Sequence, residues 1–395
     1  MRKKLVIVLA VIVALGLGLS ACKAPAAAAP EQAPATETTA PAATEAAGDS
    51  VGHKVIGYYK DAADDFYKQE TEALMLLAED AGYDWEFIDV VGQGTAPEQV
   101  AAVENFITNK VDAIVVIPNS PSATTECIEK ANSANVPYFA VTHSFTLPSG
   151  MDLAGFVGYD YVETGIYAGE DALARGVKKL IMIEGKLGQG TAGAQSTGFI
   201  KAYVDAGKDV GDAWDPVAGQ AVANSKGGAD LEIVYWGSGD WFAVPAKDEM
   251  SRAMVVLGNN DWDGAYVQND EMMDGALQAV EEAGLDPSDY WFGSSNGKEK
   301  SWDWVRAGRM TMDVNQTPTL EGLLVFRQLE AYFSGQDYRK YVSPYLTPYN
   351  VDNIESINLI PYNPQEFLKG YKEGKWVTDI NDAKFKDASY LLGIN

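Results

Sequence analysis

Ala113-Ile-Val-Val-Ile117 and Tyr138-Phe-Ala-Val-Thr142 are two continuous apolar runs of strand length, and they decide the class of fold. Between them, residues 123–134 carry apolar residues in the pattern of a helix. A strand buried on both faces shows no alternation of apolar and polar residues, because both of its sides meet a hydrophobic core. The order of strand, helix and strand therefore predicts a parallel α/β sheet covered on both faces.

The same pattern extends along most of the chain and restarts near residue 179. Further strands are predicted at residues 55–59, 85–91, 179–185, 232–236, 264–268, 290–293 and 310–314. Helices with an apolar face are predicted at residues 66–81, 95–107, 192–203, 246–257, 272–283 and 320–333. We therefore expect two doubly wound α/β units, whose ligands bind outside the carboxyl ends of the strands. Two such sheets facing each other would enclose a cleft.

The first 22 residues have the order of a bacterial export signal. Arg2, Lys3 and Lys4 precede an apolar run over residues 5–19, which is too short to span a bilayer. The ending Leu19-Ser-Ala-Cys22 resembles a lipobox, which implies that residues 1–21 are removed and that Cys22 carries a lipid. An ordinary signal peptide with an incidental cysteine is the alternative. Either way, we expect an exported protein that faces the periplasm or the cell exterior, with a lipid anchor on the first interpretation.

The segment after the leader is low in complexity. Residues 23–50 consist almost entirely of Ala, Pro, Thr and Glu, with no aromatic residue and no apolar period. Such a segment cannot bury enough surface to offset its ordering entropy, so residues 22–50 are expected to be a lipidated cysteine followed by a disordered linker. The linker would let a folded body move above the membrane.

Composition excludes several classes of function. The net charge is −26, and removal of the three positive charges in residues 1–21 takes it to −29, which excludes nucleic acid as a partner. Contact with a membrane is expected only through the lipid anchor. Cys127 is the only cysteine besides Cys22, and neither His53 nor His143 has a cysteine nearby, so no internal disulfide and no zinc site is expected.

One glycine motif invites a different interpretation. Gly188-Gln-Gly190-Thr-Ala-Gly193 matches G-x-G-x-x-G between a predicted strand and a predicted helix, as a dinucleotide site requires. An extracytoplasmic nucleotide-dependent oxidoreductase is thus one hypothesis. A tight strand-to-helix turn is the favoured alternative, because no group of residues suited to proton transfer accompanies the motif and nicotinamide cofactors are scarce outside the cytoplasm. No enzyme activity and no cofactor is expected.

Polar and aromatic residues gather where the predicted strands end. The residues at these positions are Lys60, Asp64, Phe66, Tyr67, Thr142, His143, Asn269, Asp270, Asn296, Asn315 and Gln316. A sugar requires this mixture, because its hydroxyls donate and accept hydrogen bonds while its C–H face stacks on aromatic rings. The pattern favours a site for a sugar or a related polyhydroxylated solute.

At this point the chain resembles a known family. Val267-Gln-Asn-Asp-Glu-Met272, followed by Gly275-Ala-Leu-Gln-Ala279, is similar to the signature of type I periplasmic binding proteins for sugars, such as the ribose-, galactose- and arabinose-binding proteins. The resemblance runs from about residue 55 to beyond residue 335. It implies a monomeric solute receptor that closes around its ligand and delivers it to the permease of an ABC importer. A sensor of the same fold that signals to a chemoreceptor or a kinase is the alternative.

The resemblance also implies how the chain is divided. By the family's pattern, the N-terminal lobe comprises residues 51–160 and 317–347, and the C-terminal lobe comprises residues 161–316 and 348–395. A hinge of three strands would join the lobes near Asp160, Gln316 and Thr347.

Carried over residue by residue, the resemblance implies roles in ligand binding. Aromatic stacking falls to the pair Phe66 and Tyr67 in the first lobe and to Trp241 in the second. Hydrogen bonds to hydroxyls fall to Lys60, Asp64, Asn269, Asn296 (or its neighbour Ser295) and the hinge residue Gln316.

Each of these residues also has a purely structural interpretation. Phe66 and Trp241 could belong to the core, and Lys60 could be a solvated strand end. Asp64 could cap the following helix, as could Asn269 or, more readily, Asp270.

The chain departs from the family at two places. Thr142 and His143 stand where family members carry Asp-Arg or Asp-Asp, and His143 could equally be a packing residue. Gly193 and Gln195 stand where family members carry an arginine, with Gln195 as the candidate ligand contact. An inserted segment, roughly residues 209–228, could reshape the rim of the cleft or be a surface loop.

Overall fold

The computed structural model describes residues 52–258 and 261–394. The predicted signal peptide, the lipid attachment at Cys22 and the linker lie outside the described residues. The strands, numbered in chain order, are β1 (Lys54–Lys60), β2 (Trp85–Val91), β3 (Ala113–Val116), β4 (Tyr138–Val141), β5 (Gly155–Val157), β6 (Lys179–Glu184), β7 (Trp214–Asp215), β8 (Gln220–Ala221), β9 (Glu232–Ser238), β10 (Gly264–Val267), β11 (Trp291–Ser295), β12 (Met312–Asn315), β13 (Tyr341–Ser343), β14 (Thr347–Asn350) and β15 (Lys386–Asp387).

The α-helices are α1 (Asp65–Asp80), α2 (Ala96–Thr108), α3 (Pro121–Ser133), α4 (Tyr161–Ala174), α5 (Gly190–Asp205), α6 (Ala243–Leu257), α7 (Asp270–Glu282), α8 (Glu299–Arg306), α9 (Pro318–Ser334) and α10 (Pro364–Lys372). Side-chain caps fix where several of them begin. Asp160 accepts from the backbone N–H groups of Val162 and Glu163 at the start of α4, and Asn363 caps α10 in the same way. No helix within the described ranges is long and apolar enough to cross a membrane.

Two sheets carry the fold, and their strand orders are equivalent. The first is β15-β13-β5-β4-β3-β1-β2 and the second is β14-β12-β11-β10-β6-β9. Read from β2 in the first sheet and from β9 in the second, and numbered within each sheet, the first five strands follow the doubly wound order 2-1-3-4-5. In this order the direction of strand addition reverses beside the first strand. We call the first sheet with its helices the first lobe and the second sheet with its helices the second lobe. The prediction of two doubly wound α/β lobes is confirmed.

Both faces of each sheet are buried, as the continuous apolar runs predict. Tyr58 and Tyr59 are neighbours on β1 and are fully buried in two different hydrophobic clusters. Leu180 and Ile181, neighbours on β6, are likewise fully buried in two different hydrophobic clusters of the second lobe. Because successive residues of a strand point to opposite faces, each pair shows that helices cover its sheet on both sides.

Within residues 52–258 and 261–394, the chain crosses between the lobes four times. The three expected crossings lie at residues 158–160, 316–317 and 344–346, between elements of different sheets. A fourth follows β14, where Leu359 packs in the core of the second lobe and Ile360 in that of the first.

The end of the chain therefore differs from the expectation that residues 348–395 belong to the second lobe. Only the segment up to about residue 359 does. The remainder returns to the first lobe, where Phe367 and Trp376 enter the core and β15 pairs with β13. Burial of these aromatic side chains against α1 and α9 explains the return.

The inserted segment is a surface hairpin. Strands β7 and β8 pair with each other and lie against α5, with the Ala221 N–H donating to the Thr197 hydroxyl. Trp214 packs on the hydrophobic cluster of the second lobe that contains Phe199. No residue of this insertion lines the cavity between the lobes, so of its two interpretations the surface loop fits the structure.

Candidate functional site

A cavity lies between the two lobes, at the carboxyl ends of their strands. The space between its lining residues amounts to about 420 Å³, a volume that includes open solvent at the mouth. The lining residues are Asp64, Phe66, Tyr67, Thr142, His143, Tyr161, Thr191, Gln195, Trp241, Asn269, Asn296 and Gln316. The structure thus brings together every residue predicted to contact the ligand except Lys60. That these residues bind a ligand stays a prediction.

Lys60 is the exception. Its ammonium lies 2.7 Å from Asp89 Oδ2 on the neighbouring strand β2, and its side chain is buried. The position at the end of a strand correctly predicted that Lys60 lies near the cleft. Its side chain, however, points to β2, which carries the carboxylate of Asp89, and not into the cavity. Lys60 therefore holds the sheet and does not line the cavity.

Tyr161 and Thr191 line the cavity and were missed in the sequence. Tyr161 opens α4, a helix that the apolar pattern did not reveal, one residue after Asp160. Thr191 lies inside the glycine motif, in the first turn of α5. The signal for Thr191 was available, because a strand end precedes it as it precedes the other lining residues.

The first lobe contributes Asp64, Phe66 and Tyr67 from one short segment. Asp64 Oδ1 accepts from the Phe66 N–H at 2.7 Å, so Asp64 caps α1 and lines the cavity at the same time. Its Oδ2 makes no hydrogen bond within the described residues. Burial raises the pKa of Asp64, and the bond from the Phe66 N–H opposes that rise. Phe66 meets Tyr67 and Tyr362 edge to face, which leaves its ring fixed at the wall.

The hydroxyl of Thr142 is hydrogen-bonded to two buried acids. Thr142 has a φ of +67° and its Oγ1 lies 2.9 Å from Glu70 Oε2 and 3.0 Å from Glu321 Oε2. Burial raises the pKa of Glu70 to about 7 and raises that of Glu321 as well. A hydroxyl has one proton to donate, so we infer that one of the two acids is protonated and donates to Thr142. Thr142 therefore shapes the wall, with its hydroxyl committed elsewhere.

His143 connects the two lobes. Its Nε2 lies 2.7 Å from the Tyr67 hydroxyl and its Nδ1 lies 2.9 Å from Oγ1 of Thr191, across the cleft. Burial lowers the pKa of His143 to about 4, so the ring is neutral at neutral pH. A neutral imidazole donates from one nitrogen and accepts at the other, and this hydrogen-bonded arrangement satisfies both.

Trp241 forms the aromatic wall of the second lobe. It follows β9 and has a left-handed φ of +69°. Its indole Nε1–H donates to Gln189 Oε1 at 2.6 Å, and its backbone carbonyl accepts from Asn269 Nδ2 at 3.3 Å. Trp241 packs against the hydrophobic core of the second lobe and also lines the cavity. Its position is therefore compatible both with a core role and with stacking on a ligand.

Three amide side chains of the second lobe, and a fourth at the hinge, point to the cavity. Gln195 Oε1 accepts from the Tyr266 hydroxyl at 2.9 Å, and Gln316 donates to Asn296 Oδ1 at 3.3 Å. Asn269, not Asp270, caps α7 through the Met272 N–H.

Four polar atoms of the lining stay available to a ligand. Within the described ranges, these atoms have no hydrogen-bond partner: Gln195 Nε2, Asn296 Nδ2, Asp64 Oδ2 and the Tyr161 hydroxyl. Ser295, the alternative to Asn296, does not line the cavity, and its hydroxyl donates to the Gln268 carbonyl. The lining thus offers amide donors, one carboxylate acceptor and one hydroxyl.

The cavity has little charge. Among the described residues that line it, Asp64 is the one carboxylate, His143 is neutral, and there is neither lysine nor arginine. In the part of the chain that is described, no group of three or more His, Cys, Asp or Glu side chains could hold a metal ion. Uncommitted donors and acceptors between aromatic rings suit an uncharged ligand with many hydroxyls, since an anion would need a cation or several more N–H donors.

The glycine motif lacks the packing of a dinucleotide site. In that fingerprint the third glycine allows the helix to lie close to the strand. A Cβ at Gly193 would meet no atom within 4 Å, and neither would one at Gly190. The turn is instead used by Gln189 and Thr191, which bond to Trp241 and His143.

Comparison with known proteins gives a consistent result. A family model described as periplasmic binding protein domain matches residues 58–337. The galactofuranose-binding protein YtfQ of Escherichia coli is 26% identical over 270 residues, which cover 67% of this chain and 76% of that protein. The xylitol-binding protein of Mycolicibacterium smegmatis is 26% identical over 280 residues, covering 70% and 72%. The ribose import binding protein RbsB of Bacillus subtilis is 25% identical over 256 residues, covering 65% and 74%.

Solved structures share the fold at lower identity. A galactofuranose-binding protein superposes with a TM-score of 0.64 at 21% identity, covering 82% of this chain and all of that one. The arabinose transporter's binding component from Shewanella sp. ANA-3, with bound arabinofuranose, gives 0.64 at 21%, covering 81% and 97%. A protein from Mycobacterium smegmatis in complex with β-D-fucofuranose gives 0.66 at 20%, covering 85% and 99%.

Proposed function

The chain belongs to the periplasmic binding protein domain family, and from this premise we propose that it captures a sugar or related polyol outside the cytoplasm and delivers it to an ABC importer. Family membership, expected from the sequence signature around Asn269, is established by the match over residues 58–337. Proteins of this family bind solutes, which is consistent with a chain that catalyses no reaction.

The observation that carries the proposal is the chemistry of the cavity. Aromatic rings from both lobes border it, and polar atoms that have no hydrogen-bond partner among the described residues point into it. A sugar ring fills both requirements, since its C–H face stacks and its hydroxyls pair. An anionic solute would leave its charge unpaired, because no cationic side chain among the described residues lines the cavity.

The named ligands of the relatives support the same class. Galactofuranose, xylitol and ribose appear in the names of three of them, and all three are uncharged and rich in hydroxyls. The family's arginine and aspartate are replaced here by Gln195 and by Thr142 with His143, which leaves Asp64 as the one carboxylate among the described lining residues. We infer that the solute of this chain is also neutral.

Closure around the solute accounts for specificity. The lobes are in contact, through the bond between His143 and Thr191 and through an ion pair of 3.0 Å between Lys298 and Asp65. A solute enclosed here loses its water, so each unmatched hydroxyl leaves a buried polar group unpaired at a cost of about 1–3 kcal/mol. The solute would shift an open–closed equilibrium as far as its preference for the closed form allows.

The tether belongs to the same proposal. A lipid on Cys22 would hold the protein at the membrane, and residues 23–50 would give the folded body enough slack to swing between capture and delivery. The sequence of residues 19–50 supports this arrangement. The protein would act as a monomer beside its permease.

A thermal-shift screen tests the proposal. The chain is produced without residues 1–21 and with Cys22→Ser, and is heated with D-galactose, L-arabinose, D-ribose, xylitol and myo-inositol, which we call the sugar panel. A ligand of the native state raises the melting temperature in proportion to ln(1 + [L]/Kd). We expect at least one panel member to stabilise the protein and D-galacturonate to have no effect. Absence of stabilisation by every neutral sugar and polyol tested would contradict the proposal. If binding occurs and deletion of the gene leaves uptake intact, sensing replaces import.

A further inference from the structure

The turn between β6 and α5, residues 185–191, touches both the aromatic wall and the opposite lobe. Gly185 follows the last residue of β6, and Thr191 lies in the first turn of α5. The turn contains the first half of the glycine motif, for which neither a nucleotide site nor close helix packing gives a reason. Its contacts indicate a different use.

Gly185 forms the surface on which Trp241 rests. A Cβ on Gly185 would lie 2.1 Å from two atoms of the Trp241 indole ring, so any other residue would displace the ring. The backbone of Gly185 is itself fixed, because its N–H donates to Gln268 Oε1 at 2.9 Å and its carbonyl accepts from Ser238 at 2.9 Å. The ring therefore rests on a backbone that cannot easily move.

Gln189 fixes the other edge of the same ring. It occupies the N-cap position of α5, but its side chain makes no capping hydrogen bond. Its Oε1 accepts from Trp241 Nε1 at 2.6 Å instead. A glutamine that leaves its helix cap unused and bonds to the indole, 52 positions along the chain, indicates a role at the wall of the cavity.

The same turn meets the other lobe two residues later. Thr191 Oγ1 lies 2.9 Å from His143 Nδ1, and His143 bonds in turn to Tyr67 on the first wall. The turn thus joins the aromatic wall of the second lobe to the contact that forms when the lobes close.

We propose that Gln189 is a positioning residue for solute binding, which holds the Trp241 ring against Gly185 so that the wall is in place when Thr191 meets His143. The inference rests on the proposed function, since it assigns a role in the same cavity. Gln189 is not among the residues that line the cavity, so it acts through Trp241 and does not contact the solute. Loss of the bond would let the ring rotate and would weaken binding by lowering the fraction of molecules with a preformed wall.

The first experiment needs no solute. The indole N–H signal of Trp241 is assigned in ¹⁵N-labelled protein by its loss in Trp241→Phe, and its hydrogen exchange is measured. Gln189→Leu should accelerate exchange at least tenfold, and Gln189→Glu, which keeps the acceptor, should not. Gln365→Leu, at an exposed glutamine near the start of α10, is the matched control. Unchanged exchange in Gln189→Leu would overturn the proposal.

The second experiment measures coupling with the tightest-binding member of the sugar panel. Gln189→Leu should weaken its affinity about fivefold, as expected for one hydrogen bond, and Gln189→Glu less than twofold. In a Trp241→Phe background, which has no indole donor, Gln189→Leu should change the affinity less than twofold. An equal loss in both backgrounds would show that Gln189 acts independently of Trp241 and would overturn the inference. If no panel member binds the wild type, the proposed function fails, while hydrogen exchange still decides the role of Gln189.

Discussion

The two walls of the cavity differ in how much of their polar chemistry is already used within the protein. In the first lobe, Thr142 is committed to two buried acids and His143 to Tyr67 and Thr191, so the wall offers mainly aromatic surface and one carboxylate. In the second lobe, Gln195 and Asn296 each keep an amide N–H group without a partner in the described part of the chain.

This difference assigns separate tasks to the lobes. A wall whose polar groups are satisfied is preorganised and selects for shape, whereas a wall with open donors selects for hydroxyls at particular places. If the proposed function holds, the first lobe would fix the geometry of the site and the second lobe would supply most of the hydrogen bonds to the solute. The following changes weaken or sharpen this contrast.

Removal of the Trp241 ring should have the largest effect. Trp241→Ala takes away the stacking surface of the second wall and should weaken binding of the best panel sugar about 100-fold, equivalent to about 2.7 kcal/mol. Trp241→Phe should lose less than tenfold, because a ring remains. Isothermal titration calorimetry measures both. Equal affinities of Trp241→Ala and wild type would show that the solute lies elsewhere.

Removal of an open amide donor should come next. Asn296→Asp keeps the size of the side chain and its left-handed backbone, with φ of +103°, but replaces an N–H donor by an acceptor. We expect a loss of about tenfold to thirtyfold in affinity, because the carboxylate cannot donate to the solute and its charge is buried without a cation beside it. Asn363→Asp at the exposed cap of α10 serves as the control and should leave the affinity as it is. A change of less than twofold in Asn296→Asp would remove Asn296 from the site.

Acidification should act through the contact between the walls. Burial lowers the pKa of His143 to about 4 where the lobes are in contact, against about 6.5 for an exposed histidine. Protonation is thus unfavourable in the closed form, so the contribution of neutral His143 is present above about pH 6.5 and is lost as the pH falls towards 4. Relative to His143→Gln, wild-type affinity should fall about fivefold between pH 6.5 and 5.5.

The variant is needed as the reference because the buried acids beneath Thr142 also titrate, and burial raises the pKa of Glu70 to about 7. Burial raises the pKa of Glu70 and of Glu321 beneath Thr142. As the pH falls, these two acids therefore take up protons more readily than exposed carboxylates do. Both are present in wild type and variant, so their contribution cancels in the ratio of affinities. A ratio that stays constant from pH 7.5 to 5 would show that His143 does not respond to closure.

Substitution of Lys60 should lower the stability of the fold without changing the affinity for the solute. Lys60→Met leaves Asp89 without its cation and should lower the free energy of unfolding by about 2 kcal/mol, measured by urea denaturation. Affinity for the best panel sugar should change less than twofold, since Lys60 lies outside the cavity. Lys68→Met, at an exposed position on α1, is the control for the loss of charge. A tenfold loss of affinity in Lys60→Met would return this residue to the site.

Most of the fold and much of the candidate site could be predicted from the sequence because both follow from local patterns. The apolar runs at β3 and β4 can only be strands buried on two faces, and residues after such strands meet at one edge of the sheet. This rule alone brought Phe66, His143 and Asn296 to the same cavity.

What could not be predicted depends on partners that are distant in the chain. The direction of Lys60 is set by Asp89 on the adjacent strand, and the hydroxyl of Thr142 by Glu70 and Glu321, 72 positions before it and 179 after it. No local pattern assigns the residues after about 360 to a lobe, and only the aromatic packing of Phe367 and Trp376 shows that they return to the first lobe.

A crystal structure with the best-binding member of the sugar panel tests the central claim most directly. The account predicts one sugar between the two walls, with its C–H face against an aromatic ring of Phe66 or Trp241 and its hydroxyls within hydrogen-bond distance of Gln195 Nε2 and Asn296 Nδ2. A sugar bound outside the cavity, or one held only by the first lobe with both amides unpaired, would contradict it.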